Sequence, residues 1–265
     1  MAEAHDHGDC RWASPLRVMT VIAVACVLRV VAMQDASASD ANARPEAKPN
    51  TTIQSFSKAK KLMRQVFAGH ERTFYCDCAY DGTTVDVQSC GYQPQKPSKR
   101  ARQLEWEHVV PAEAFGQSFP EWRDGHPNCV DRKGKAFKGR NCAAKMAVPF
   151  RYMEADLYNL QPAIGEVNQL RSNYSMAMIP GEAWKFGRCD LEIKDRKIEP
   201  RPEIRGDIAR TYFYMDAAYP GRGIISEKNR KLFEAWDRED PVDAWERERV
   251  HRIERLQGNT NPFVQ

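Results

Sequence analysis

A carboxylate beside an imidazole, Glu107-His108, is the pair in this sequence best equipped for chemistry. An ionised carboxylate is a hard oxygen ligand for a divalent ion, and a neutral imidazole takes up a proton near neutral pH. The pair alone says little, because a surface acid beside a hydrogen-bonded histidine reads the same way. Further along, Met153-Glu154-Ala155-Asp156-Leu157-Tyr158-Asn159 leads to Pro162, and Asn159 offers an amide oxygen where that segment ends. Asn is a common residue at a helix end. A strand bearing Glu-His opposite a helix bearing Asn nevertheless makes a recognisable arrangement around one metal ion.

Those side chains need elements to hold them. Gln103 to Val110 alternates, with Leu104, Trp106, His108 and Val110 on one face, and Pro111 stops it, so this segment reads as a strand. Neighbours on a regular strand point to opposite faces. Glu107 and His108 therefore meet one substrate only if the strand twists, bulges or ends there, which predicts a departure just before Pro111. Pro149 suits a first helical turn, and Phe150, Met153 and Leu157 follow on one face, predicting a helix to about Asn159.

Upstream, Phe56, Ala59, Leu62, Met63, Val66 and Phe67 recur at helical spacing behind Ser57 as cap, the pattern of a packing helix. Thr73 to Tyr92 is aromatic, cysteine-rich and broken by glycine, which suggests short strands and turns. Phe115 to Lys145 keeps no period and reads as a long loop tied by cysteines. Pro202 opens a helix carrying Ile204, Ile208, Tyr212 and Met215. Ser226 caps another through Leu232, Phe233 and Trp236, and a last one runs from Asp240-Pro241 toward Leu256, ended by Gly258. No internal repeat appears, and the fold class expected is a helix-rich α+β domain with a small sheet.

Of the 265 residues, 40 are Lys or Arg and 36 Asp or Glu, a formal net charge of +4 that does not by itself announce a polyanionic partner. Residues 1–38 read as a secretory signal: Arg11 and Arg17, an apolar run from Val18 to Leu28, then small residues ending in Ala36-Ser37-Ala38. Arg29 leaves the run short of the roughly 20 apolar residues of a membrane span. A retained anchor and lipid attachment at Cys26 are the alternatives. Residues 39–53, nearly devoid of apolar side chains, read as a disordered linker, and 54–265 as a single domain. That domain holds Cys76, Cys78, Cys90, Cys129, Cys142 and Cys189. Export implies an oxidising compartment and up to three disulfides. Cys129 and Cys142 are expected to pair around a loop of Gly, Lys and Arg. The other four leave three connectivities open, with a zinc site on Cys76, Cys78 and Cys90 as the rival reading.

At this point whole blocks of sequence matter more than single residues. Leu104-Glu105-Trp106-Glu107-His108-Val109-Val110-Pro111-Ala112, Met153 to Leu160, Ile164-Gly165-Glu166-Val167-Asn168 and Arg171-Ser172-Asn173-Tyr174 together resemble the bacterial endonuclease I family of periplasmic and secreted nucleases. The likeness extends from about Phe56 to Val264 and is far more specific than a short motif. It implies a ββα-metal (His-Me finger) core with a small antiparallel sheet, surrounding helices and disulfide staples. By that likeness one Mg²⁺, with Mn²⁺ as a substitute, is expected to be held by Glu107 and Asn159. The likeness also implies His108 as general base and Arg140 as the phosphate contact. The family cuts DNA and often RNA without sequence preference, leaving 5′-phosphate ends. Family members often carry two further cysteines, one after a Trp-Glu near the C-terminus; Arg247 stands there in this chain, which implies one disulfide fewer.

The chemistry of a phosphodiester fits those roles, because cutting it requires a hydroxide and neutralisation of charge. Arg140 adds a permanent planar cation. A backbone carbonyl or carboxylate is expected on the second ring nitrogen of His108, and Glu166 and Asn168 are expected to orient the metal ligands. Lys99, Arg100 and Arg102 before the strand, and Lys138 with Arg140 in the cysteine loop, are the candidate substrate-binding cations. The expected state is a monomer, periplasmic or secreted, without stable membrane association. Two other readings compete: a catalytically silent exported DNA-binding protein and a disulfide-stapled structural protein.

Overall fold

The computed structural model describes residues 45–181 and 185–265, so the expected leader and the first part of the linker lie outside it. Elements follow in the order α1 (Phe56–Val66), β1 (Tyr80–Asp81), β2 (Thr84–Val85), α2 (Val87–Cys90), a 3-10 turn (Lys99–Arg102), β3 (Leu104–His108), α3 (Ala112–Gly116) and α4 (Pro120–Arg123). Then come α5 (Arg140–Met146), α6 (Val148–Glu154), a 3-10 turn (Leu157–Asn159), β4 (Leu160–Ile164), α7 (Gly165–Arg171), β5 (Ser175–Met176), β6 (Leu191–Lys194) and β7 (Lys197–Pro200). A third 3-10 turn (Pro202–Ile204) leads into α8 (Arg205–Ala218), followed by α9 (Glu227–Glu239) and α10 (Ala244–Gln257). Among the described residues the strands form three small sheets, β1-β2, β3-β4 and β5-β7-β6.

Residues 45–53 are packed against the domain and do not form a free linker. Ala47, Asn50 and Ile53 are buried. The Asn50 side chain donates to the carbonyls of Ile53 and Tyr152 and accepts from the amides of Thr52 and Ile53. One amide thus does what apolar residues would do elsewhere, which is why composition misread residues 45–53. The cap of α1 is Ser55, whose hydroxyl accepts from the Lys58 amide, and not Ser57.

Short helices also escaped periodicity. The expected loop from Phe115 to Lys145 contains α4 and most of α5, and α3 ends just inside it; these helices are too short to show a repeat. The expected helix to Asn159 breaks after Glu154, and the buried Asp156 carboxylate caps the following 3-10 turn at the Tyr158 amide. Asp156 also accepts from Tyr214, Tyr219 and Gln257, tying that turn to α8, to its C-terminal cap residue and to the end of α10. From α10, the Arg249 guanidinium reaches the carbonyls of Leu157, Tyr158 and Leu160. Further down, α9 has its expected Ser226 cap, whereas α10 starts at Asp243 as cap rather than at Asp240.

The cysteines pair as Cys76–Cys189, Cys78–Cys90 and Cys129–Cys142. The expected bridge around the basic loop is present. The rival zinc site is excluded, since all three of its cysteines are in disulfides.

Strands β3 and β4 run antiparallel, with Glu107 opposite Gln161 and His108 opposite Leu160, and α7 follows β4 directly and packs on both. Their ladder stops at His108. Beyond it the Asn159 side chain substitutes for a strand, its amide oxygen accepting from the Val110 N–H (2.7 Å) and its nitrogen donating to the Val110 carbonyl (3.0 Å). The expected departure before Pro111 is therefore a strand end closed by an amide side chain.

Candidate active site

A cleft of about 950 Å³ opens over β3. Its floor carries Glu105, Trp106, Glu107 and His108; α1 forms one wall, while Asn168 and Arg171 of α7 and Arg140 at the start of α5 line other parts of it.

His108 is held by its Nε2, which lies 2.8 Å from the Glu154 carbonyl oxygen. A carbonyl only accepts, so Nε2 bears the proton and Nδ1 is the basic nitrogen. Burial, then the positive charge of Arg140, pushes the imidazole down to about 3, against a rise from the Glu154 hydrogen bond. His108 is thus neutral at physiological pH. The same Glu154 accepts from Arg140 Nε through its carboxylate at 2.5 Å. One residue at the end of α6 therefore sets the base with its main chain and the cation with its side chain. Phe56 completes this group, its ring 4.9 Å from that of His108 and 5.1 Å from the Arg140 guanidinium.

Glu107 is buried, and that burial pushes its carboxyl up to about 7, against the nearby charge of Arg171 and a hydrogen bond from Tyr75. The Tyr75 hydroxyl donates to Oε1 at 3.3 Å. Arg171 Nε lies 3.2 Å from the same oxygen but is not aligned to donate, so its attraction is coulombic. A buried acid so desolvated gains from any further cation. Across the cleft, Asn168 donates its Nδ2 to Glu105 Oε2 at 2.9 Å, and Arg100 grips both oxygens of Glu105. With the nitrogen committed, Oδ1 is the Asn168 atom available to a ligand.

A sequence model described as Endonuclease I matches residues 51–265. The chain belongs to the endonuclease I family. It is 44% identical over 220 residues to an extracellular deoxyribonuclease of Aeromonas hydrophila, covering 80% of this chain and 89% of that one. A periplasmic deoxyribonuclease of the same organism is 42% identical over 80% of this chain and 86% of its own. Endonuclease-1 of Buchnera aphidicola subsp. Acyrthosiphon pisum is 38% identical over 80% of this chain and 81% of its own.

The structure places Glu107, His108 and Arg140 on one cleft, but not Asn159. That residue is fully buried, both its amide atoms are taken by Val110, and it does not line the cleft. The side chain that shares the cleft with Glu107 is Asn168, which sequence reasoning had placed behind the ligands. Glu166 does not line the cleft; it accepts from the Tyr92 hydroxyl and the Lys96 amide, tying α7 to the cysteine-rich segment. Among the expected substrate-binding cations, Arg140 and Arg100 line the cleft, the latter paired with Glu105. Lys99, Arg102 and Lys138 do not; Arg102 lies by the β1-β2 hairpin and Lys138 beside Gly125 and His126.

Sequence reasoning missed Glu105, Glu154 and Arg171 as parts of this site. All three stand inside the sequence blocks that carry the family likeness, which is the signal by which they were findable.

Proposed function

We propose that this chain is an exported, sequence-tolerant endonuclease that hydrolyses phosphodiester bonds of DNA and RNA at the cleft over β3. The observation that carries this reading is the neutral imidazole of His108, locked through Nε2 and sharing one cleft with Glu107, Asn168 and Arg140. Periplasmic or secreted action, a monomeric state, a ββα-metal core made of β3, β4 and α7, and 5′-phosphate products complete the proposal. Names of the relatives support the substrate class and the export.

The residues fit a single hard divalent ion. Glu107 supplies a carboxylate that burial leaves short of positive charge, and Asn168 supplies an amide oxygen whose nitrogen is already tied down. Among the described residues no three His, Cys, Asp or Glu side chains cluster as a metal cage. Two oxygen ligands leave room for water and phosphate, which suits Mg²⁺, with Mn²⁺ able to replace it. Bound there, the ion would supply charge stabilisation for the phosphoryl group and the departing 3′ oxygen.

The side chains do the rest. His108 Nδ1 takes a proton from the attacking water while Nε2 stays on the Glu154 carbonyl, so the ring does not rotate as its charge changes. Arg140 meets the anionic phosphate, and the phosphate in turn offsets the repulsion between Arg140 and an imidazolium. Substrate binding thus makes His108 a stronger base at the moment it is used. Oriented by Glu154, Arg140 meets the growing phosphoryl charge without reorganisation.

A supercoiled plasmid tests the reading. It is expected to be nicked and degraded with Mg²⁺ and left intact with chelator. A protein that retards the plasmid in a gel at every metal concentration without nicking it is the silent DNA-binding protein instead.

A further inference from the structure

Helix α1 contains Lys58, Lys60, Lys61 and Arg64 and no acid. Peptide dipoles leave the N-terminal end of a helix positive, so acids are favoured there; α1 has none in its first turn and sets Lys58 in it. The helix therefore breaks a local preference, a pattern found where function overrides stability. Burial of Ala59, Met63 and Val66 fixes its rotation, and Ser57, Lys60, Lys61 and Arg64 then line the cleft beside Phe56.

The charge on this wall is uncompensated. Arg100, Arg140 and Arg171, the other cations of the cleft, are paired with Glu105, Glu154 and Glu107. Among the described residues Lys60, Lys61 and Arg64 take part in no ion pair, and Lys60 lies over the Phe56 ring at 4.9 Å. The Phe56 end adjoins His108 and Arg140, and the helix leads away from them. At about 1.5 Å per residue, the run from Phe56 to Arg64 extends this charge about 12 Å from the base. That is the axial length of about three nucleotides of duplex.

We propose that α1 is a phosphate track, in which Lys60, Lys61 and Arg64 hold the backbone of one substrate strand over about three nucleotides on one side of the cut. The proposal rests on the nuclease reading and extends it to the substrate's footprint. Cations that meet phosphates rather than base edges keep the site sequence-tolerant.

The test compares the triple variant Lys60→Gln/Lys61→Gln/Arg64→Gln with Lys228→Gln/Lys231→Gln/Arg238→Gln on α9, which loses the same charge outside the cleft. With DNA of about 20 base pairs, the α1 variant is expected to show a KM raised about tenfold, kcat within about threefold, and a plot of log KM against log salt shallower by about two to three units. The α9 variant should match the parent, and both should melt with it. On oligonucleotides lacking the three flanking nucleotides, parent and α1 variant should have equal KM. An unchanged salt slope in the α1 variant, or an equal change in the α9 variant, overturns the track. Fluorescence anisotropy of a labelled oligonucleotide in chelator gives the same slope comparison without turnover, so a failure of the nuclease reading stays distinguishable from a failure of the track.

Discussion

Replacing His108 by alanine is expected to lower the rate of cutting by about 10²–10⁴-fold while leaving DNA affinity within about twofold. Among the described residues the ring is the one group lining the cleft over β3 that is placed as a neutral base, and Glu154 fixes which nitrogen serves. Affinity should survive because the cations of the cleft lie on other elements. The pH profiles carry a second signature. Burial and Arg140 hold His108 at about 3 in the free protein, well below the ordinary imidazole value. Its acid limb in kcat/KM, which reports the free protein, should therefore lie far below pH 6.5. Phosphate against Arg140 should raise the limb in kcat above that of kcat/KM. Single-turnover rates of the variant settle the main point: full activity removes His108 as base.

Two asparagines should separate cleanly. Asn159→Ala strips partners from both the amide and the carbonyl of buried Val110, and is expected to cost about 2–5 kcal/mol. In a domain of this size that is a fall in Tm of roughly 5–15 °C. Asn168→Ala removes one hydrogen bond at the edge of a cleft and should cost under about 1 kcal/mol. Activity should order them the other way. Asn168→Ala is expected to lose about a hundredfold in rate at limiting Mg²⁺ and to recover in part as Mg²⁺ rises; Asn159→Ala, measured below its melting point, should keep most of its rate. Thermal melts and Mg²⁺ titrations of the two variants are sufficient. A stable, inactive Asn159→Ala beside a fully active Asn168→Ala would reinstate Asn159 as the ligand.

That contrast also marks where sequence stopped being legible. β3 was readable because alternation over Leu104 to Val110 and the stop at Pro111 are local facts, and so was the Cys129–Cys142 bridge. The role of Asn159 was not local. It depends on Val110, forty-nine positions away, lying against its side chain once β3 and β4 pair. Asn168 looked secondary because it follows the helix expected to end at Asn159, which had already been given the ligand's place, yet α7 puts its side chain in the cleft. Helix α1 shows the same limit from the other side. Its apolar spacing correctly gave a packing face, but nothing in that spacing says that the opposite face meets the catalytic residues. Likewise residues 45–53 looked like linker because Asn50 organises them through Tyr152 and Tyr219, far along the chain.

Anomalous diffraction from crystals soaked in Mn²⁺ most directly tests whether one ion is shared by sheet and helix beside the imidazole. A single peak is expected in the cleft, about 2.0–2.3 Å from a Glu107 carboxylate oxygen and from Asn168 Oδ1. A peak whose protein ligands exclude Glu107, or a cleft without a peak at a Mn²⁺ concentration that supports cutting, would contradict it.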